Sequence, residues 1–92
     1  LLELTRIAAM ANAEGIKVAP HNPSGPVSTA ATIQVCAVLQ NFNFIELQWG
    51  EVPWRGEMVT PHEHFDRGGI VVSTQPGCGV TLNERHVKKY AL

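Results

Sequence analysis

Two short apolar runs, at residues 16–20 and 43–47, decide most of what this chain can become. No hairpin turn joins them. A stiff loop, Asn22-Pro23-Ser24-Gly25-Pro26, instead leads into a helix-like stretch rich in Ala, Thr and Val over residues 27–39. Strands joined through a helix run parallel, because the crossover returns the chain to the end of the sheet where it started. A helix pattern also precedes them. Leu4, Ile7, Ala8, Met10 and Ala11 recur near helical spacing across residues 1–14, and Gly15 supplies a stop. The order helix, strand, helix, strand is that of an α/β fold. Two parallel strands leave both sheet edges open and cannot bury both faces. The elements are therefore expected to belong to something larger.

This arrangement sets His21 at the carboxyl end of the first strand, where α/β barrels place catalytic groups. An imidazole there can take or give a proton near neutral pH. The second run again ends near an acid, Glu46, so each βα step delivers one ionisable side chain to the same rim. The residues alone leave a plainer alternative open: a loop histidine beside prolines, and a solvent-facing acid.

From residue 48 the style changes. Gln48 to Gly56 is a long aromatic loop. Its Trp49, Trp54 and Arg55 are candidates for lining a substrate entrance, or for packing on their own chain. Gly68-Gly69 and the run Ile70-Val71-Val72 suggest a short strand pair within 57–72. Asn83 can cap a last helix over 84–90, with Glu84 in its first turn and Lys88-Lys89 in its last, as the helix dipole favours.

Composition excludes several classes. With 92 residues, 45% of them hydrophobic, the chain is not built for disorder. A net charge of -1 gives no electrostatic case for nucleic acid or an anionic membrane. No apolar run approaches a membrane span, and Leu1 to Arg6 lack the basic-then-apolar order of a signal peptide, so a cytoplasmic protein is expected. Cys36 and Cys78 are not spaced as a zinc knuckle or redox pair; two reduced thiols is the preferred reading, and a disulfide stays open. Alternating His62 and His64, with Asp66 nearby, could share a face and bind zinc. No third ligand has the spacing, so they read as solvated loop histidines, and His86 reads as a surface residue of the last helix. Ser24 lacks a nucleophile elbow, and Gly68-Gly69 lacks the strand and helix of a phosphate cradle.

Taken together, Val18-Ala19-Pro20-His21-Asn22-Pro23-Ser24-Gly25-Pro26, Asn41-Phe42, Ile45-Glu46, Gly50-Glu51-Val52-Pro53-Trp54-Arg55 and Pro76-Gly77-Cys78-Gly79-Val80 resemble the C-terminal quarter of the enolase superfamily. The resemblance is to its mandelate racemase/muconate lactonizing enzyme-like branch, and there to sugar-acid dehydratases of the galactonate and gluconate type. It implies a modified (β/α)₈ TIM barrel beside an α+β capping domain. Residues 1–56 would be barrel helix 6, strand 7, helix 7 and strand 8, and 57–92 an extension returning to the capping domain. The family binds Mg²⁺ on carboxylates of the third, fourth and fifth strands. None of those strands is in this chain, so no metal ligand is expected here.

In family terms His21 matches the seventh-strand histidine that removes the proton alpha to a carboxylate. Glu46 matches the acid at the end of the eighth strand, which donates to a carboxylate oxygen of the intermediate. The implied activity is a magnesium-dependent hydro-lyase, giving a 2-keto-3-deoxy acid from an acid sugar. Its implied partners are that small molecule, the rest of the barrel or a companion chain, and further copies in a homo-oligomer. A racemase or epimerase shares the first step. The rival from another class is a non-catalytic module binding metal or a partner through His62 and His64.

Overall fold

The computed structural model describes residues 1–48 and 50–91. Helix α1 spans Leu2–Ala13. It stops where Gly15 turns to φ 68°, a conformation that costs a glycine little. The Gly15 amide then donates to Asn12 O at 3.0 Å and the Ile16 amide to Ala11 O at 2.9 Å, the paired closure of a Schellman motif. Ile16 is thus spent on capping the helix, and strand pairing begins only at Val18, later than the apolar run suggests. Asn41 secures this corner from inside. Its buried amide donates to Ala8 O at 3.0 Å and Ile16 O at 2.8 Å.

The parallel pair follows. Val18 bridges Phe42, then β1 (His21–Asn22) pairs with β2 (Glu46–Leu47), His21 opposite Glu46 and Asn22 opposite Leu47. Between them α2 spans Pro26–Cys36, capped by Gly25 with Pro26 at its first position. It ends three residues before Leu39. The Val38 and Leu39 amides reach back only to Val35 and Cys36, a tighter turn that closes the helix. Burial pushes the Cys36 thiol above its ordinary pKa.

The remainder folds back on α2. β3 (Val59–Thr60) pairs antiparallel with β6 (Thr81–Leu82), an association no local pattern announces. β4 (Phe65–Asp66) and β5 (Gly69–Ile70) form the anticipated hairpin, with positive φ at Arg67 and Gly68 as a two-residue primed turn requires. Gln34 of α2 donates to Ser73 O and Cys78 O, holding the connecting loop. α3 (Glu84–Tyr90) is capped by Asn83, whose side chain accepts from the His86 amide.

Cover is incomplete. Among the described residues Ala8, Pro26, Ala30, Val35, Cys36 and Val59 are buried, while Leu2, Ile7 and Met10 of α1 stay exposed together with Val38 and Phe44. The accessible surface is 6580 Å², against about 5,200 Å² for a compact monomer of this mass. The radius of gyration is 14.2 Å, against about 12 Å for a compact domain of this length. The 92 residues expressed alone are therefore expected to melt without cooperativity. Calorimetry tests this, and a sharp two-state transition in the isolated monomeric chain would overturn it.

Candidate active site

The parallel register creates the site. Because His21 and Glu46 are partners across β1 and β2, both side chains leave the sheet at the same height and on the same side. His21 Nδ1 lies 3.0 Å from Glu46 Oε2. With the carboxylate ionised, Nδ1 carries the proton and donates it, which leaves the Nε2 lone pair available. The two side chains are 64% and 63% exposed. An ion pair so open adds about 0–1 kcal/mol to stability, so its consequence is orientation of the imidazole. The sequence reading sets both residues on one rim but does not pair them; the structure puts the Glu46 carboxylate against the imidazole.

Asn22, the next residue, points the opposite way and is 3% exposed. Its Nδ2 donates to Thr29 Oγ1 at 2.8 Å, and its Oδ1 accepts from Ser28 Oγ at 2.9 Å. Thr29 is completely buried, and it also accepts from Arg55 Nη2 at 2.9 Å. Arg55 Nη1 donates to Ser24 O at 3.1 Å, and Nε and Nη2 reach the two oxygens of Glu63 at 3.1 and 2.8 Å. Glu51 lies 3.7 Å from Nη1.

Trp54 and Arg55 line a cleft of about 310 Å³ with Ser24, Gln48 and Glu51. Trp54 also packs on its own chain, its ring stacked on Tyr90 with centroids 4.4 Å apart. Arg55 is buried and its fork is filled by Glu63, so the structure makes it a strut rather than an open anion receptor. Trp49 lies outside the described residues.

His62 and His64 are exposed and flank the Glu63 carboxylate, which is turned inward to Arg55. Among the described residues no three His, Cys, Asp or Glu side chains gather to hold a metal ion. His86, expected at the surface, is in fact only 12% exposed in its side chain, with Nε2 3.3 Å from Glu57 Oε2. The reason is tertiary: the Trp54–Tyr90 stack and the Asn83 amide donating to Glu57 O fold α3 onto the preceding loop. Sequence reasoning missed Asn22, Thr29 and Glu63. Strand alternation flags Asn22 as the inward neighbour of His21. No local signal joins Arg55 to Thr29.

Residues 1–86 match the family model described as enolase C-terminal domain-like. The chain belongs to that family. A D-galactonate dehydratase of Verminephrobacter eiseniae is 38% identical over 88 residues, which cover 89% of this chain and 23% of that protein. A solved structure of a putative mandelate racemase/muconate lactonizing enzyme from Burkholderia SAR-1 superposes with a TM-score of 0.89 at 33% identity, covering 99% of this chain and 23% of the other. A putative L-alanine-DL-glutamate epimerase from Burkholderia xenovorans, solved bound to magnesium and fumarate, gives 0.84 at 28% identity, over 91% of this chain and 21% of that one. The α/β fold is therefore that of the C-terminal region of a mandelate racemase-like TIM barrel. The chain spans between 17% and 24% of the length of curated relatives it matches, several of them named as sugar-acid dehydratases.

The buried ion pair separates Arg55 from the other arginines of this enolase-family chain. In the protein that carries it, Arg55→Ala leaves the Glu63 carboxylate buried and alone, and should cost about 3–5 kcal/mol of stability. Arg67→Ala removes a side chain that is 91% exposed and should change stability little. Chemical denaturation of both variants provides the check, and equal stabilities would show that the pair is not structural.

Proposed function

We propose that this chain contributes the general base, His21, to a dehydratase acting on an acid sugar. The observation that carries the reading is the His21 Nδ1–Glu46 Oε2 contact of 3.0 Å across paired parallel strands. It orients an imidazole whose other nitrogen can accept a proton, on an open rim. His21 Nε2 takes the proton alpha to the substrate carboxylate, and the electron pair moves into that carboxylate as an enediolate. The imidazolium so formed is held by the Glu46 carboxylate beside it. Collapse of the enediolate then expels the β-hydroxyl, which leaves as water after taking a proton from a general acid outside this chain. The resulting enol tautomerises to the 2-keto-3-deoxy acid.

Names of relatives support this substrate class. Magnesium, present in one solved neighbour, is part of the proposal for the whole protein. The described residues of this chain do not form a site for it, and no step above runs through it. Epimerisation is a second reading, favoured by the named epimerase among the structural neighbours. It shares the proton abstraction but not the loss of water.

The test uses the protein that carries this chain and a panel of acid sugars that includes D-galactonate, followed by keto-acid formation and deuterium wash-in from solvent. His21→Asn should abolish alpha-proton exchange, because asparagine keeps much of the shape and hydrogen bonding of imidazole but cannot take the proton. Glu46→Gln should lower turnover by about a hundredfold while sparing KM, since its interaction strengthens as charge develops. Undiminished exchange in His21→Asn would mean that another residue is the base. Exchange without keto-acid formation would move the protein to the epimerase class.

A further inference from the structure

We propose that Arg55 is a positioning residue for His21, acting through Thr29 and Asn22. This inference rests on the reading of His21 as the base and extends it to a residue in a different loop.

The path is continuous. His21 and Asn22 are consecutive in β1, so whatever fixes the Asn22 side chain fixes the backbone from which His21 projects. Asn22 is held at both ends of its amide, by Thr29 Oγ1 at 2.8 Å and Ser28 Oγ at 2.9 Å. Thr29 Oγ1 is fully committed. It accepts from Asn22 and from Arg55 Nη2, and its own proton goes to Gly25 O at 3.3 Å. Arg55 Nη1 meanwhile holds Ser24 O at 3.1 Å. The loop between β1 and α2 is thus pinned through Asn22, Ser24 and Gly25, with the Arg55 guanidinium on Ser24 directly and on the other two through Thr29.

The same geometry argues against Arg55 as a substrate anchor. A guanidinium recognises a carboxylate best through two parallel N–H donors. Here that pair, Nε and Nη2, is already on the two oxygens of Glu63. Both side chains are 9% exposed, so an incoming carboxylate would have to displace a buried partner. Lysine is no substitute, because a single ammonium cannot hold Glu63, Thr29 and Ser24 in one plane.

Small displacements of a catalytic group cost rate more than binding. A misplacement of about 1 Å can cost about a hundredfold. The decisive variant is Thr29→Val, which keeps shape and the Arg55–Glu63 pair but removes the oxygen joining Arg55 to Asn22. In the protein that carries this chain, with D-galactonate as probe, Thr29→Val should lower kcat for alpha-proton exchange by about 10- to 100-fold, with KM within about threefold of wild type. Thr29→Ser keeps the hydroxyl and should restore kcat to within about threefold. Arg55→Lys, which leaves Glu63 paired, should reproduce the kcat loss and serves if Thr29→Val does not fold.

Wild-type kcat in Thr29→Val or in Arg55→Lys overturns the inference. So does a raised KM at unchanged kcat, which would make the network a substrate holder. His21→Asn, run alongside, keeps the two levels apart. Exchange that survives in His21→Asn defeats the reading of His21 itself. Exchange lost there but intact in Thr29→Val defeats only the positioning role of Arg55.

Discussion

One buried guanidinium ties this chain together. Arg55 comes from the loop after β2, yet it binds the loop after β1, the first turns of α2 and the segment that follows β3. Among the described residues the buried polar or charged ones are Asn22, Thr29, Asn41 and Arg55, and the buried apolar side chains beside them are few and mostly small. With so small an apolar core, hydrogen-bonded polar groups carry an unusual share of the definition of the fold. Such groups are costly to strand and are therefore specific about geometry. Satisfying Arg55 requires Ser24, Thr29 and Glu63 to be in place at once, which couples the rim to the segment packed behind it.

The candidate site depends on that coupling and on strand register. A slip of one residue between β1 and β2 would turn one of His21 and Glu46 inward and leave no pair. Two features oppose a slip. Asn41 anchors the turn before β1 to α1, and Asn22 is locked by Thr29 on the inner face. The rim side chains stay exposed while Asn22, next to His21, is buried and hydrogen-bonded, so the imidazole is accessible but the backbone that carries it is held.

Much of this was legible along the chain because it is set locally. Gly15 ends α1 and Asn83 caps α3 because each supplies a backbone or side-chain property needed within a few residues. His21 and Glu46 stood out because parallel strands joined through a helix bring their carboxyl ends to one edge. Element ends were less legible. Ile16 reads as strand by its apolar neighbours, but its amide closes the Schellman turn. Leu39 fits the helical period, yet the chain tightens after Cys36 and leaves the helix.

From the sequence by itself came the α/β order, the parallel crossover and the two ionisable residues at one rim, since periodicity, turn chemistry and strand polarity are properties of short segments. The tertiary structure alone decided which polar groups meet. Arg55 and Glu63 are eight residues apart, with β3 between them, and Arg55 and Thr29 are separated by 26. No repeat or spacing rule relates such positions. In the loop that the sequence leaves open to either entrance or self-packing, Arg55 is a buried strut and Trp54 stacks on Tyr90, because a guanidinium with five donors is stable inside only where several distant acceptors converge, and convergence is a property of the folded chain.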